Sequence, residues 1–302
     1  MAIDPIFEKE EWIAKKGDPE KVFYLPVILN EFGPYICRFV RDVYRSDIRQ
    51  KVHAVKKGHE SLFPNINHFF YDWDDSIEVN ERKKKKLGSF RGMGNRKWVH
   101  ENFFISQLKK ILKKYPKYQN YTFVYPFVKY TDPSHPNHFV HFNIVETRSS
   151  NISADVIITP RFKKKYNKPL ILYQRICDIL KNYGFSVGVV GTKEMSYNDL
   201  NFDVASWDYH STMYDLNPDI ELIRKAKFVV ATNCGMLHLA ILMKKNIIFL
   251  RDRAGYGWYI NKQVHPNTYF DILDRKSLSI TENGFKEKTL KNAINKYINF
   301  QK

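Results

Sequence analysis

The stretch from residue 219 to residue 252 constrains the fold most strongly, because it follows the pattern of a helix, a strand, a turn, a helix and a second strand. Ile220, Ile223 and Ala226 recur at the spacing that places side chains on one side of a helix. The unbroken apolar run Phe228–Ala231 comes next, as expected of a strand buried on both faces of a parallel sheet. This succession predicts an α/β fold built on parallel sheets.

A turn at residues 233–235 follows this strand and leads into a helix predicted to run through about Met243. Lys244 and Lys245 are predicted in the last turn of that helix, where the negative end of the helix dipole favours cations. Residues 247–250 are predicted to form a second buried strand. The turn therefore presents backbone N–H donors at the carboxyl end of a strand, where open α/β sheets bind ligands and where a helix N-terminus attracts phosphate.

A family resemblance is carried by the segment AKFVVATNCGMLHLAILMKKNIIFL, which is similar to the nucleotide-sugar signature of the heptosyltransferase-like glycosyltransferases. The residues that match this signature are Gly235, His238, Leu239 and Ala240. Asn233 stands where the family usually has Asp, and Cys234 stands where it has Ser or Thr. The resemblance implies the GT-B fold, in which two Rossmann-like domains with parallel sheets face each other and the second domain binds most of the donor nucleotide.

Composition and length are those of a folded globular protein. The chain has 302 residues, enough for one large domain or two of ordinary size, and 43% of them are hydrophobic. Three widely spaced cysteines suggest neither a disulfide framework nor a zinc site. No apolar run approaches the ~20 residues that span a bilayer, and the acidic N-terminus lacks the apolar core of a signal peptide. We therefore predict a cytoplasmic protein.

The net charge of +17 favours an anionic partner. Nucleotide sugars, an anionic membrane surface with which the protein associates peripherally, and nucleic acid all fit this charge, as does a solvated basic surface. Four lysines at residues 83–86 fit the same alternatives. The sequence contains no recognisable helix-turn-helix, zinc-finger or RNA-binding motif, so nucleic acid is the least expected partner.

The first domain is predicted to open with a strand at residues 22–29, a turn containing Gly33, and a helix with Pro34 at its first position. The family opens similarly with a Gly in this loop, so the resemblance implies a donor-site role for Gly33. Many heptosyltransferases carry a catalytic Asp directly after that Gly, where this chain has Pro34. Glu31 is the nearest carboxylate and is the candidate catalytic base by position, a role that the motif itself does not transfer.

The remaining first-domain elements are predicted as strands at residues 52–55, 69–73 and 121–125 and a helix at 102–114, after an irregular lead-in over residues 1–20.

His59 and Glu60 lie in a Gly-His-Glu segment similar to one that the family has between its early strands. The resemblance implies that His59 or Glu60 contacts acceptor or donor at the cleft between the domains. The alternative is an ordinary surface loop with incidental polar residues.

A turn-rich segment at residues 130–153 predicts a domain boundary. Residues 1–150 are accordingly predicted as the acceptor-side domain and residues 151–302 as the nucleotide-sugar donor domain. A C-terminal helix is predicted at residues 285–300, and in this fold such a helix commonly crosses back onto the first domain.

Three histidines in the boundary segment, His135, His138 and His141, raise the question of a metal site. Pro136 disrupts a helical arrangement, and alternation along a strand would separate His138 from His141. We therefore predict no metal site.

The second domain is predicted to deliver a cation from each of its first two strands to the edge where the signature turn lies. A strand at residues 156–159 precedes Arg161, and after a helix at 169–181 a strand at 187–190 precedes Gly191, Thr192 and Lys193. Similar family segments bind the donor diphosphate with Arg or Lys after the first strand, and the residues after the second shape the nucleotide site. The donor site implied by the resemblance comprises Gly33, Arg161, Gly191, Thr192, Lys193, Asn233, Cys234, Gly235, Met236 and His238.

These observations predict a glycosyltransferase that moves a sugar from a nucleoside diphosphate sugar to a glycan or other hydroxyl acceptor. The resemblance implies inversion at the sugar, and cationic side chains with a helix dipole would stabilise the departing diphosphate without a cofactor or metal. Asn233 and the missing Asp after Gly33 leave open a non-catalytic module that binds nucleotide sugars.

Overall fold

The computed structural model describes residues 13–25, 50–55, 57–63, 66–72, 97–124, 151–161, 170–193, 196–209, 215–251, 260–261, 264–274 and 286–302. The chain divides into two compact units, Met1–Thr131 and Asp132–Lys302. Residues 125–150 lie outside the described residues, so the boundary expected at residue 150 stays a prediction.

The first unit contains a five-stranded sheet with the strand order β1-β5-β2-β3-β4. Its elements are β1 (Ile13–Lys15), β2 (Asp18–Tyr24), β3 (Gln50–Ala54), β4 (His68–Phe70), helix α1 (Lys97–Lys114) and β5 (Tyr121–Val124). The described strand pairs are parallel except for β1 with β5, which is antiparallel. The predicted strands of this unit and the helix predicted at 102–114 are thereby confirmed, with shifted ends, whereas the helix predicted to begin at Pro34 lies outside the described residues.

Aromatic packing holds the middle of this sheet. Phe23 of β2 is fully buried, and its ring stacks on Phe123 of β5 at a centroid distance of 4.8 Å. The edges of Phe70 and Tyr118 meet the same ring at 5.2 Å. Such aromatic pairs stabilise a core beyond the apolar area that they bury.

The predicted irregular lead-in is wrong for residues 13–20. β1 and the first half of β2 occupy these residues, and β2 starts at Asp18 instead of residue 22. Pro19 is tolerated there because the register of β2 against β5 is irregular between Asp18 and Val22. β1 is only three residues long and is held by pairing with the distant β5, which a local pattern does not reveal.

The second unit contains a six-stranded sheet with the order β11-β10-β9-β6-β7-β8, in which each described pair is parallel. Its strands are β6 (Val156–Thr159), β7 (Val187–Val189), β8 (Val204–Ala205), β9 (Phe228–Ala231), β10 (Asn246–Arg251) and β11 (Phe270–Asp274). Its helices are α2 (Leu170–Asn182), α3 (Asn217–Lys225), α4 (Gly235–Leu242) and α5 (Glu287–Phe300).

Both faces of the second sheet are buried. Ile158 and Val230 on one face share a core cluster with Ile176 of α2 and Ile294 of α5. The alternating residues of the central strands face the other side and are equally inaccessible, so the apolar runs read from the sequence are confirmed as strands buried on both faces. The C-terminal helix is confirmed as α5 and packs on this sheet; its crossing to the first domain stays a prediction.

Two edge strands of this sheet, β8 and β11, were not predicted from the sequence. β8 has two residues, and β11 has the mixed sequence FDILD. Each lies at an end of the sheet and is extended because a buried neighbour, β7 or β10, supplies the hydrogen bonds.

Within the described residues, no helix is both long and apolar enough to cross a membrane.

The prediction that Lys244 and Lys245 lie in the last turn of α4 is wrong, because the helix ends at Leu242. The amide of Lys244 donates to the Ile241 carbonyl and that of Lys245 to the Ala240 carbonyl, both at 3.0 Å. Lys244 adopts a positive φ of 57°. This is the Schellman arrangement that commonly ends helices, with Lys at the position usually taken by Gly.

Candidate functional site

Three neighbouring strands, β7, β6 and β9, end at the same edge of the second sheet because they run parallel. Arg161 follows β6, residues 191–193 follow β7, and residues 232–235 follow β9. We call this the carboxyl edge. The structure therefore brings the sequence-predicted donor residues of the second domain to one side of the sheet, where open α/β sheets bind ligands.

Hydrogen bonds between threonines join the ends of β6 and β9. The amide of Thr232 donates to Thr159 Oγ1 at 3.2 Å, and the hydroxyl of Thr232 donates to the Thr159 carbonyl at 3.0 Å. Cys234 Sγ lies 3.4 Å from the same Thr159 hydroxyl. The signature turn is thus fixed to the neighbouring strand β6 before the chain enters α4.

Arg161 contacts the signature turn directly. Its guanidinium Nη1 donates a hydrogen bond to the backbone carbonyl of Asn233. The backbone amide of Arg161 donates to the hydroxyl of Tyr173 at 3.4 Å, and burial raises the pKa of that hydroxyl above its ordinary value. A guanidinium has five N–H donors, so the bond to Asn233 leaves others for a ligand.

The N-terminus of α4 opens onto the same edge. Cys234 precedes the helix in an extended conformation, and its side chain makes no capping hydrogen bond. The first amides of a helix have no partner within the helix, and they carry the positive end of its dipole. Asn233, Cys234 and Gly235 are partly accessible, so an anion can reach these amides.

Met236 and His238 are residues of α4, and both are buried, with 7% and 6% of their surface exposed. Met236 is therefore placed to offer a ligand its backbone. Direct contact between the His238 ring and a donor stays a prediction.

The turn after β7 begins at Gly191, whose φ of +116° is a conformation that other residues rarely adopt. Thr192 is partly buried, and Lys193 is exposed. The carbonyl of Lys193 accepts a hydrogen bond from the Ser196 amide at 3.3 Å, and Ser196 Oγ lies 3.5 Å from the Pro160 carbonyl. These bonds connect the turn after β7 with the segment that carries Arg161.

Sequence reasoning missed two residues that support this turn, Asp219 and Ser206. The carboxylate of Asp219 accepts hydrogen bonds from the Gly191 amide at 2.7 Å and from the Ser206 hydroxyl at 2.8 Å. The only local signal was an acidic residue beside the apolar stripe of the helix, and such a residue at a helix N-terminus is ordinarily explained by the helix dipole.

In the first unit, His59 is 3% exposed and directly precedes the short 3-10 helix Glu60–Leu62. Glu60 Oε2 accepts a hydrogen bond from the Gly58 amide at 2.7 Å. Burial, together with the nearby Glu60 carboxylate, raises the pKa of Tyr71 to about 12. Glu60 therefore has a structural task in this loop, and contacts of His59 or Glu60 with donor or acceptor stay predictions.

Several predicted features lie outside the described residues. They are Glu31, Gly33, the three histidines of the boundary segment and the lysines at 83–86. Within the parts of the chain that the structure describes, no group of three or more His, Cys, Asp or Glu side chains is arranged to hold a metal ion. A metal-independent reaction stays a prediction.

Comparison with known proteins identifies the fold to which this site belongs. No protein-family model matches the sequence, and comparison with curated proteins also found no match. Among solved structures, glycosyl transferase family 9 from Veillonella parvula is 12% identical with a TM-score of 0.51, and the match covers 92% of this chain and 97% of that one. E. coli heptosyltransferase WaaC with ADP is 9% identical with a TM-score of 0.52, covering 91% and 99% of the two chains.

A third match, E. coli ADP-heptose LPS heptosyltransferase II, is 12% identical with a TM-score of 0.50 and covers 92% of this chain and 98% of that one. The chain has the GT-B fold. The resemblance to heptosyltransferases found in the signature segment is confirmed at the level of the fold, with two Rossmann-like domains and mostly parallel sheets. At identities this low, the structural similarity establishes the fold alone, and the chemistry has to be argued from the residues of the site.

Proposed function

We propose that this chain is a glycosyltransferase that moves a sugar from a nucleoside diphosphate sugar to a hydroxyl acceptor. The observation that carries the proposal is the contact of the Arg161 guanidinium with the Asn233 carbonyl, directly before the N-terminus of α4. A cation and a set of free helix amides lie together there, which is the arrangement that a diphosphate binds.

The similar structures support the same ligand class. The names of two of them specify a heptosyltransferase with ADP and an ADP-heptose heptosyltransferase, and their matches extend over both units of this chain. A nucleoside diphosphate sugar is therefore the donor that fits both the fold and the charges of the carboxyl edge.

In the proposed reaction, the acceptor hydroxyl oxygen forms a bond to the anomeric carbon, and the bond from that carbon to the diphosphate oxygen breaks. The diphosphate leaves with the electron pair, and the acceptor proton goes to a base in the first domain, for which Glu31 is our candidate. Arg161, Lys193 and the amides of α4 offset the negative charge of the leaving group without a metal. Attack from the face opposite the leaving group inverts the anomeric carbon.

A second candidate, a module that binds nucleotide sugars without transfer, is favoured by two residues. Asn233 stands in place of the family's usual Asp, and Pro34 stands in place of the Asp that many heptosyltransferases use. Saturable donor binding with no release of nucleoside diphosphate in the presence of hydroxyl acceptors would favour this module over the enzyme.

The first test is a thermal-shift and calorimetric titration with the common nucleoside diphosphates. A ligand that binds the folded state raises the melting temperature, and we expect one nucleotide class to do so. Arg161→Ala should raise the Kd of that nucleotide roughly 10- to 100-fold, since hydrogen bonds to charged groups contribute about 1.5–3 kcal/mol. Arg175→Ala, in the middle of α2, removes the same charge elsewhere and should leave the Kd unchanged.

Chemical labelling locates the bound nucleotide. Cys234 is partly exposed at the signature turn, whereas Cys177 is fully buried in α2. We expect bound nucleoside diphosphate to slow alkylation of Cys234, as followed by peptide mass spectrometry, while Cys177 stays unreactive with or without ligand. A nucleotide that binds tightly without changing the rate at Cys234 would place the donor away from the signature turn and contradict the proposal.

A further inference from the structure

Asp219 is a carboxylate with no solvent exposure, placed in the first turn of α3. Burying a carboxylate is unfavourable unless hydrogen bonds or charges compensate it. Here the Gly191 amide and the Ser206 hydroxyl both donate to Asp219 Oδ1, at 2.7 and 2.8 Å. The positive end of the α3 dipole adds to this stabilisation, because Asp219 lies in the first turn.

The partners of Asp219 lie just beyond the ends of two adjacent strands. Gly191 lies two residues beyond β7, and Ser206 directly follows β8. Ser206 Oγ also lies 3.4 Å from the Gly191 carbonyl, so both polar groups of the Gly191 backbone are contacted by this cluster. A single carboxylate thus connects the first turn of α3 to two neighbouring strand ends.

The backbone that Asp219 holds is the start of the turn carrying Thr192 and Lys193. Gly191 has a φ of +116°, which glycine adopts far more readily than other residues, and the chain bends there. The hydrogen bond from its amide to Asp219 fixes the peptide plane at the point where the chain leaves β7. The directions in which residues 192 and 193 leave the sheet depend on that plane.

We propose that Asp219 is a positioning residue for the donor site: its carboxylate holds the Gly191 turn so that Thr192 and Lys193 face a nucleoside diphosphate at the carboxyl edge. This inference rests on the proposed function. Because Asp219 is inaccessible, it acts through the turn and does not touch the donor. Ser206, which donates to the same carboxylate oxygen, supports Asp219 in that role.

The same helix supplies a matched control, Glu221. It is 1% exposed and is also an acid of α3, but it binds the helix's own Arg224 at 2.7 Å and Lys225 at 2.9 Å. Replacing Glu221 therefore perturbs a carboxylate of equal burial in the same helix, one whose ion pairs are made with residues of that helix. A general loss of stability in α3 would affect both acids, whereas a positioning role affects donor binding through Asp219 alone.

The experiment compares Asp219→Ala, Asp219→Asn, Ser206→Ala and Glu221→Gln by titration with the nucleoside diphosphate that stabilises the wild-type chain. We expect Asp219→Ala to raise its Kd at least tenfold and Ser206→Ala to raise it a fewfold. Asp219→Asn keeps an acceptor for the Gly191 amide and should recover part of the affinity. Glu221→Gln should bind like the wild type even if its melting temperature falls.

A second measurement reads the turn itself, by hydrogen exchange of the Gly191 amide without ligand. Exchange there should accelerate in Asp219→Asn and not in Glu221→Gln. Wild-type affinity in folded Asp219→Ala, or in Asp219→Asn and Ser206→Ala if the alanine variant does not fold, overturns the inference and leaves the proposed function standing. Failure of the wild-type chain to bind any nucleoside diphosphate overturns the proposed function and the donor role of Asp219 together.

Discussion

The amino edge of the second sheet and the candidate site on its carboxyl edge differ in how their charges are satisfied. At the amino edge, where the strands begin, Asp155 pairs with Lys227 at 2.8 Å, and Asp203 pairs with Lys181 at 3.1 Å. At the carboxyl edge, Arg161 donates to a backbone carbonyl, and among the described residues neither it nor Lys193 has a carboxylate partner within 4 Å. Cations neutralised by acids hold a fold together, whereas cations beside helix amides remain available to an anionic ligand.

The buried acid of the carboxyl edge fits this comparison. The Asp219 carboxylate accepts hydrogen bonds from a backbone amide and a hydroxyl of the same edge. The comparison predicts that substitutions at the amino edge change stability and those at the carboxyl edge change donor affinity.

The largest stability effect is expected for Asp155→Ala at the amino edge. The Asp155 carboxylate accepts hydrogen bonds from the amide and hydroxyl of Ser186, both at 2.9 Å, in addition to its ion pair with Lys227. Because bonds to a charged acceptor are among the stronger ones, we expect a loss of about 2 kcal/mol in urea unfolding. Asp178→Ala, an exposed acid of α2, should cost less than about 0.5 kcal/mol. A large rise in donor Kd for Asp155→Ala would break the distinction between the edges.

The pH dependence of the same residue sharpens this prediction. Lys227 and the Ser186 amide hold the pKa of Asp155 below its ordinary value of 3.8. A lowered folded pKa means that the stabilisation is present in full above about pH 5 and is lost as the pH falls through the unfolded and then the folded pKa. The difference in unfolding free energy between the wild type and Asp155→Asn should therefore be constant from pH 7 to 5 and shrink towards pH 3. A difference that does not change with pH would contradict the ionic contribution.

Two glycines at opposite edges of the sheet have a positive φ, so that a side chain introduced at either position would strain the backbone. Gly191 lies at the carboxyl edge with φ +116°, and Gly184 lies at the amino edge, after α2, with φ +79°. A Cβ at Gly191 would approach Ser196 Oγ no closer than 3.5 Å, and a Cβ at Gly184 meets nothing within 4 Å. Each Gly→Ala substitution should therefore cost about 1–2 kcal/mol through strain alone.

Only Gly191→Ala should also weaken donor binding, because it moves the turn that carries Lys193. Equilibrium unfolding and nucleotide titration of both variants measure the two effects separately. Equal donor affinities for the two variants would show that the Gly191 turn does not shape the donor site.

The smallest effect, and a stabilising one, is expected for Lys244→Gly. Lys244 ends α4 at the amino edge with φ 57°, a conformation that Gly adopts without strain. We expect a gain of about 1 kcal/mol, with donor affinity unchanged. Lys244→Ala keeps the strain while removing the charge and should be nearly neutral. A gain of equal size in the alanine variant would attribute the effect to charge.

The sequence predicted the buried middle of the second unit well. β6 and β9 occupy the predicted residues because strands covered on both faces are continuous apolar runs. Such a run can be recognised in the sequence without knowing which strand pairs with it. The short outer strands β1, β8 and β11 were missed because their extended conformation comes from hydrogen bonds to a neighbouring strand. Glu31 and Gly33 lie outside the described residues, and their roles stay predictions.

The sequence by itself determined the α/β class, the signature turn and the delivery of Arg161 and Lys193 to one edge of a sheet, since parallel strands place whatever follows them on the same side. The support beneath that edge was decided by tertiary structure. Asp219 meets Gly191 and Ser206 from 28 and 13 positions away along the chain. Those contacts form because β7 and β8 pair side by side and α3 returns beneath their ends, an arrangement that no local pattern around Asp219 encodes.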